Sequence, residues 1–308
     1  MHANLHINAI SRSSGRNAVA ASAYRSAVAC AAYRSGQEIK DDRYNKTHDY
    51  SRKENVLHSE IMTPEGAPEW MHNRQSLWNA VEAGEKRKDA QLAKEIILTL
   101  PRNLDLEQQK EVVQGFVKKN IVDKYNLVAD FAIHSPDASD GGKNPHAHIM
   151  FTLRPVEGEG FGKKLTGYNG GLDSREILQD WRFAYEDLLN ETATKAESEI
   201  RFDLRNLKEK GIDREPQPKI GPKVNYMEKR GYHTEWGKET RKAAHNNYAK
   251  ESYRRHTATY QLIGGGSSQP AFLVESIRAD IANKYYEVMY GDEHSRGETD
   301  HNQNYDGR

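Results

Sequence analysis

The stretch that decides the fold lies near the middle of the chain, where LVADFAIH (127–134) is followed, after eleven residues, by HAHIMFTL (146–153). Both segments have the short apolar character of buried β-strands. The residues between them, 137–143, are rich in Gly, Asp and Ser, which is typical of a turn. We therefore expect the two segments to pair as an antiparallel hairpin.

Patterns on either side of this hairpin predict further strands and helices. Alternation of polar and apolar residues or short apolar runs predict strands at 3–10, 56–62 and 95–100. Helical composition and periodicity predict helices at 17–35, ending at Gly36, and at 69–94, 105–119 and 173–189. The predicted fold class is α+β, with a central antiparallel sheet flanked by helices and a helical C-terminal extension.

The composition excludes several classes of protein. The 308 residues contain a single cysteine, Cys30, so that neither an internal disulfide framework nor a cysteine-based zinc site is expected. No apolar run approaches the roughly 18 residues of a membrane span, and the N-terminus lacks the basic-then-apolar order of a signal peptide. We expect a cytoplasmic protein without membrane insertion.

The charges are segregated although the formal net charge is zero. Residues 201–255 hold fifteen Lys or Arg against eight Asp or Glu, whereas 285–308 hold six acids against two bases. Aromatic residues lie within the basic stretch: Phe202, Tyr226, Tyr232, Trp236, Tyr248 and Tyr253. Bases interleaved with aromatics suit phosphates and unstacked nucleobases, although a merely solvated helix surface explains the charges equally well.

Three histidines form the candidate metal site. Residues two apart on a strand face the same side, so that His146 and His148 present their rings together. His134 ends the preceding strand and reaches the same face if the hairpin forms. Three imidazoles on one face make an open site that leaves positions for substrate oxygens. Ile149, Phe151 and Leu153 are core candidates for the other face.

One carboxylate and two tyrosines are candidate catalytic residues. Glu95 opens a short apolar strand, where a carboxylate is costly to bury unless it is paired, so that it either serves the site or faces solvent. Tyr24 and Tyr33 occupy similar settings, SAYRSA and AAYRSG, on the alanine-rich helix. Nine residues at about 100° each place them on opposite sides of a straight helix, so that at most one can face the metal.

Together these features resemble the MobA/MobL (MobQ-type) family of plasmid mobilisation relaxases, in the HUH endonuclease superfamily. The resemblance is carried, in the family's order, by ISRSSGRNAVAASAYRS (10–26), HDYSRK (48–53), EKRKDAQLAKEIILTLP (85–101) and NPHAHIMFTLRPV (144–156), with weaker similarity in GIDREPQPKIGP (211–222) and MEKRGYHTEWG (227–237). It implies an HUH-type catalytic core over 1–200. Charge and composition predict a basic, aromatic-rich, helical DNA-contacting segment over 201–263, followed over 264–308 by a flexible linker, GGGSSQ (264–269), and an acidic tail that is disordered after 292.

The resemblance also implies an activity. A tyrosine attacks one DNA strand at a plasmid origin of transfer, forms a covalent 5′-phosphotyrosine, leaves a free 3′-OH and later reseals the strand. His134, His146 and His148 would hold a divalent ion, Mn²⁺ or Mg²⁺, with Glu95 as an active-site carboxylate beside them. The implied partners are single-stranded or supercoiled plasmid DNA, accessory relaxosome proteins and a type IV coupling protein.

The chain departs from the family in the tyrosine region. Counting forward from Gly15 favours Tyr24 as the nucleophile, whereas counting back from HDY favours Tyr33. We favour Tyr24, because the turn after the first strand fixes where the helix begins. Tyr33 is the alternative nucleophile. Either tyrosine can instead be a packing residue with no catalytic role.

Other classes of protein remain open. They are an HUH-type rolling-circle replication initiator, a non-catalytic single-stranded DNA-binding module, and a structural metal protein. The sequence lacks the GxxxxGK[ST] phosphate-binding loop of a helicase.

Overall fold

A five-stranded antiparallel sheet forms the centre of the computed structural model, as the sequence predicts. The structure describes residues 3–13, 26–138, 140–166, 171–172, 174–218, 220–264 and 270–290. The strand order in the sheet is β1-β5-β7-β6-β4. The strands are β1 (Asn4–Ser11), β4 (Val56–Met62), β5 (Gln91–Thr99), β6 (Ala129–His134) and β7 (His146–Phe151). Strands β6 and β7 pair as the predicted antiparallel hairpin, with His134 directly opposite His146.

Helices cover both faces of this sheet. The α-helices of eight or more residues within the described part of the chain are α1 (Ala27–Ser35), α2 (Arg74–Gly84), α3 (Leu106–Val117), α4 (Arg175–Lys195), α5 (Pro222–Lys229), α6 (Lys238–Leu262) and α7 (Ala271–Tyr290). A π-helical turn (Lys118–Val122) and a short helical turn (Asp123–Tyr125) continue α3. Residues from α3 and α4 share an apolar core with one face of the sheet. Residues from α1 and α2 share a second core with the opposite face. The α+β class is therefore confirmed.

The chain divides into two compact units, 1–204 and 205–308. The first contains the sheet with α1 to α4, and the second contains α5 to α7. Among the described residues, no helix combines the length and apolar character that crossing a bilayer requires. The expected linker at 264–269, apart from its first residue, and the expected disordered tail after 292 lie outside the described residues.

Three local predictions differ from the structure. The helix expected over 17–35 is not continuous, because Ser26 has an extended backbone (φ −128°, ψ 132°) and caps α1, which begins at Ala27. The helix expected over 69–94 is a 3₁₀ turn (Glu69–His72) followed by α2, which ends at Gly84, and β5 then begins at Gln91. Because β5 pairs with β1 on one side and β7 on the other, ladder hydrogen bonds outweigh the weak helical preference of these residues. Glu95 therefore lies in the middle of a strand and does not open it.

Two small hairpins have no counterpart among the predicted elements. They are β2–β3 (Glu38–Asp41 with Lys46–Asp49) and β8–β9 (Val156–Glu157 with Gly160–Phe161). Each lies beside the second core, to which Ile39 and Val156 contribute buried side chains. Their strands are too short for alternation to stand out in the sequence.

Alternation along β7 separates the apolar core from the polar residues, as predicted. Ile149 and Phe151 are buried in the core against α3 and α4, and Leu153 is also buried. The histidines at 146 and 148 face the opposite side, toward α1. One strand thus contributes both to the stability of the sheet and to the candidate site.

A buried ion pair fixes α2 to the sheet. Asp130 on β6 accepts two hydrogen bonds from Arg74 Nε (3.0 and 2.8 Å) and one from Arg74 Nη2 (2.8 Å). Trp78 Nε1 also donates to Asp130, at 2.8 Å. All three side chains are buried, so that removal of the carboxylate would leave a buried guanidinium and an indole N–H without their acceptor.

We expect Asp130→Ala to lower the free energy of unfolding by about 3–5 kcal/mol, because it breaks a buried pair from one side. The control is Asp89→Ala, which removes an exposed pair with Arg87 (the Arg87 side chain is 80% exposed and that of Asp89 49%) and should leave stability close to that of the wild type. Urea denaturation followed by circular dichroism measures both values. Equal losses in the two variants would contradict this account of how α2 is held.

Candidate active site

The hairpin brings the three predicted histidines together. His134 and His146 are cross-strand partners at the ends of β6 and β7, and His148 lies two residues further along the same face. One ring nitrogen from each of the three histidines lies within 4.8 Å of the corresponding nitrogens of the other two. No other group of three potential metal ligands occurs within the described ranges.

Each ring is oriented by a hydrogen bond through one of its nitrogens. His134 Nε2 donates to the carbonyl oxygen of Arg34 (2.6 Å), and His146 Nδ1 donates to the carbonyl oxygen of Asn144 (2.7 Å). His148 Nδ1 donates to Glu95 Oε1 at 2.7 Å. The remaining nitrogen of each ring carries a lone pair, which is the arrangement that metal-binding histidines require.

Burial favours the neutral form of His134 and His146. It lowers the pKa of His134 to about 3, against the opposing effect of the hydrogen bond to Arg34. Burial also lowers the pKa of His146. Neutral imidazoles are ligands for divalent transition ions, and a set of three leaves coordination positions for other oxygen donors. The donor set therefore fits a metal ion.

Glu95 lies beneath this cluster and is fully buried. It accepts hydrogen bonds from His148 and from Arg34 Nε, and Asn8 Nδ2 lies 3.4 Å from its other oxygen. Burial alone would raise the pKa of Glu95, but the Arg34 guanidinium and the His148 ring outweigh it and hold the pKa below its ordinary value. The carboxylate is therefore ionised, and the solvent-facing alternative for Glu95 is wrong.

Arg34 is the residue of this cluster that the sequence analysis missed. Its side chain is 5% exposed and pairs with Glu95, while its carbonyl oxygen holds His134. It lies in the last turn of α1, where a basic side chain is commonly a solvated partner of the helix dipole. The sequence feature that could have indicated this role is the position of Arg34 in AAYRSG (31–36), a segment of mostly small and apolar residues.

Of the two candidate tyrosines, only Tyr33 is among the residues that the structure describes. Tyr24 lies outside the described residues. Tyr33 lies on α1, is 42% exposed, and packs edge to face against Tyr50 with 5.3 Å between ring centroids. The ammonium of Lys53 lies over its ring, 3.8 Å from the centroid.

The buried carboxylate of Glu82 binds described residues that lie before and after Tyr24 in the sequence. Arg12, at the end of β1, donates from Nη2 to Glu82 Oε2 at 2.6 Å. The backbone N–H of Ala27, at the start of α1, donates to Glu82 Oε1 at 2.8 Å. Ser26 adds a hydrogen bond to the buried Asp41 at 2.6 Å. The chain is thus fixed before and after the range that contains Tyr24.

The aromatic residues of the basic stretch have different environments. Phe202 is buried in the core of the first unit, and Tyr248 in the second unit donates to Asp280 at 2.7 Å. The other four aromatics are exposed, in the order Trp236 (82%), Tyr232 (64%), Tyr226 (57%) and Tyr253 (51%). Of these four, Tyr226 has the guanidinium of Arg230 over its ring, 4.8 Å from the centroid, which favours the other three for stacking.

Comparisons with known proteins agree with this geometry. A model of the MobA/MobL family matches residues 25–230. The chain is 36% identical over 207 residues to the conjugal transfer protein TraA of Agrobacterium fabrum, a match that covers 58% of this chain and 18% of TraA. It is 32% identical over 247 residues to the mobilization protein MobL of Acidithiobacillus ferridurans, covering 72% of this chain and 62% of MobL.

A solved structure described as "Molecular Basis of Vancomycin Resistance Transfer in Staphylococcus aureus" has a similar fold. The TM-score is 0.58 at 28% sequence identity, over 67% of this chain and 100% of that one. The chain spans about a fifth of the length of its TraA relatives and 62% of MobL. Because the family model covers two thirds of the sequence and the predicted sheet carries the expected histidines, the chain belongs to the MobA/MobL family.

Proposed function

We propose that this chain is a conjugative relaxase, which nicks one DNA strand at the origin of transfer of a plasmid and rejoins it after transfer. The observation that carries the proposal is the cluster of three histidines, oriented in part by the Glu95–Arg34 pair, in a chain of the MobA/MobL family. The names of the relatives, a conjugal transfer protein and a mobilization protein, support the same reading.

The proposed reaction is a transesterification at phosphorus. The phenolic oxygen of a tyrosine attacks the scissile phosphate and loses its proton, so that a tyrosine O–P bond forms while the bond between phosphorus and the 3′ oxygen breaks. The 3′ oxygen takes up a proton and leaves as a 3′-OH. The number of phosphodiester bonds is conserved, and reversal therefore reseals the strand without ATP. When bound, a divalent ion would polarise the phosphate and stabilise the developing charge.

His134, His146 and His148 would hold this ion in the proposed enzyme. Mg²⁺ prefers oxygen ligands and keeps several waters, whereas transition ions accept imidazole nitrogen readily. Of the two ions expected from the resemblance, Mn²⁺ therefore fits the donor set better than Mg²⁺. Glu95 would act on His148, whose ring it orients through Nδ1.

Tyr24 is the proposed nucleophile, and Tyr33 remains the alternative. Two observations support this order. The ring of Tyr33 already packs against Tyr50 and Lys53, which suits a packing residue. Glu82 and Asp41 anchor the described residues on both sides of Tyr24, which suits a segment whose position matters.

The proposed substrate is plasmid DNA, single-stranded or supercoiled, and the reaction would take place in the bacterial cytoplasm. The basic segment 201–263 would add affinity by binding phosphates, with its exposed aromatics available to stack on bases. Accessory relaxosome proteins and a type IV coupling protein complete the set of partners that the proposal implies.

We expect the purified protein to bind Mn²⁺ in isothermal titration calorimetry and His146→Ala to weaken that binding by more than about 100-fold, since loss of an outer-shell partner alone costs 10–100-fold. The matched control is His58→Ala, because His58 on β4 contacts Phe131 on the opposite face of the sheet. Equal Mn²⁺ affinity of the wild type and His146→Ala would show that the cluster is not the metal site.

We expect Tyr24→Phe to keep fold, metal binding and DNA binding but to lose the covalent adduct, because only the attacking oxygen is removed. Tyr33→Phe should form the adduct at close to the wild-type rate. The measurement uses a single-stranded oligonucleotide from the transfer origin of the plasmid that encodes the chain, with Mn²⁺ or EDTA, followed by peptide mapping of the adduct.

Three other results would change the conclusion. DNA attached to the Tyr33 peptide would exchange the roles of the two tyrosines. Wild-type protein that binds the oligonucleotide without forming an adduct would be a non-catalytic DNA-binding module. Cleavage of a replication origin in place of the transfer origin would identify a rolling-circle replication initiator.

A further inference from the structure

Lys53 lies beside the histidine cluster, although it belongs to none of the elements that hold the rings. It closes a turn in which its backbone N–H donates to the carbonyl oxygen of Tyr50, at 3.0 Å, three residues before β4 begins at Val56. Val56 pairs directly with His134 across β4 and β6. The backbone thus brings the turn that carries Lys53 to the same end of the sheet as the metal-ligand candidates.

The side chain of Lys53 points toward the end of α1. Its Nζ donates to the carbonyl oxygen of Tyr33 at 2.9 Å. The next carbonyl along the helix, that of Arg34, accepts the hydrogen bond from His134. The ammonium of Lys53 and the ring of His134 therefore bind consecutive carbonyl oxygens at the C-terminus of one helix.

No carboxylate of the described residues neutralises the charge of Lys53. Burial and the neighbouring Arg34 lower the pKa of Lys53 to about 8, and no acidic group among those residues counteracts that fall. The charge of the neighbouring Arg34, in contrast to that of Lys53, is neutralised by its ion pair with Glu95.

In the free protein, Lys53 places a half-buried cation beside the proposed site for a divalent cation, and no acidic group of the described residues pairs with it. This arrangement is electrostatically costly. The arrangement becomes favourable when an anion enters. A phosphodiester supplies that anion, and an ammonium that spends one of its three N–H donors on Tyr33 can donate another to a phosphate oxygen.

We propose that Lys53 binds a backbone phosphate of the DNA strand where the strand crosses the histidine cluster. The proposal rests on the proposed function, since it takes the substrate to be DNA. It gives Lys53 a contact with substrate and distinguishes it from the rest of the basic surface, which binds phosphates without regard to the reacting bond.

A purely structural role is the competing explanation. By donating to Tyr33, Lys53 satisfies a carbonyl at the end of α1 and counteracts the helix dipole there. If Lys53 had only this role, its removal would alter stability and the shape of the proposed metal site. It would not alter how much DNA binding weakens when the charge of one particular phosphate is removed.

The test compares the wild type with Lys53→Met, Lys53→Arg and the control Arg52→Met, which removes an equal charge from the exposed neighbouring residue. Fluorescence anisotropy measures binding of transfer-origin oligonucleotides in which the phosphate at the nick, or either adjacent phosphate, is replaced by an uncharged methylphosphonate. Single-turnover adduct formation on unmodified DNA, Mn²⁺ affinity and thermal unfolding are measured on the same proteins.

We expect Lys53→Met to slow adduct formation by about 10–100-fold, the value of a hydrogen bond between charged groups, with Mn²⁺ affinity unchanged. Lys53→Arg should recover part of the rate, and Arg52→Met should retain all of it. At one of the three positions, methylphosphonate should weaken binding by the wild type at least fivefold more than binding by Lys53→Met.

The outcomes separate the two proposals. If the wild type forms an adduct but methylphosphonate weakens both proteins equally at every position, Lys53 binds none of these phosphates and the inference is overturned. Loss of Mn²⁺ affinity in Lys53→Met, without position-specific coupling, would assign it the structural role. If the wild type forms no adduct, the proposed function itself fails, whatever the binding data show.

Discussion

The carboxylate of Glu95 is the point on which the candidate site depends. It lies in the middle of β5, fully buried, and receives hydrogen bonds or close contacts from β1 through Asn8, from α1 through Arg34 and from β7 through His148. A buried carboxylate would be strongly destabilising without these partners. Because Arg34 and His148 favour its ionised form, the charge joins three strands and a helix at a single position and fixes the ring of one metal-ligand candidate.

The end of α1 extends this constraint to a second histidine. The side chain of Arg34 pairs with Glu95, and its carbonyl oxygen accepts the hydrogen bond from His134. Movement of the last turn of α1 would therefore disturb two of the three rings. The polar cluster occupies only part of its face of the sheet: α1 and α2 cover the remainder with an apolar core, and α3 and α4 cover the opposite face with another.

The hairpin and its histidines could be predicted because both depend on local rules. Alternation along 146–151 places His146 and His148 on one face, and a Gly-rich connection to the preceding strand brings His134 opposite His146. Glu95 was identified as a candidate beside the histidines, but its pairing with Arg34 was not. A pairing between residues 61 positions apart, such as Arg34 with Glu95, leaves no periodic trace in the sequence.

The predictions that were wrong, and the role of Lys53 that was not predicted, have the same physical origin: pairing between residues that are distant in the sequence. Residues 69–94 have a composition that suits a helix, and only the presence of strands on both sides converts 91–99 into β5. Lys53 falls in a turn whose sequence carries no metal or phosphate signature. Its environment arises from Val56 pairing with His134, which brings the turn to the end of the sheet where the histidines lie.

The central claim is that the buried Glu95 carboxylate organises the candidate metal site. It is tested most directly by the dissociation constant for Mn²⁺ of Glu95→Gln, a variant that keeps the shape of the side chain and removes its charge. The account predicts affinity about 10–100-fold weaker than that of the wild type, with cooperative unfolding retained. Unchanged Mn²⁺ affinity in a folded Glu95→Gln protein would contradict it.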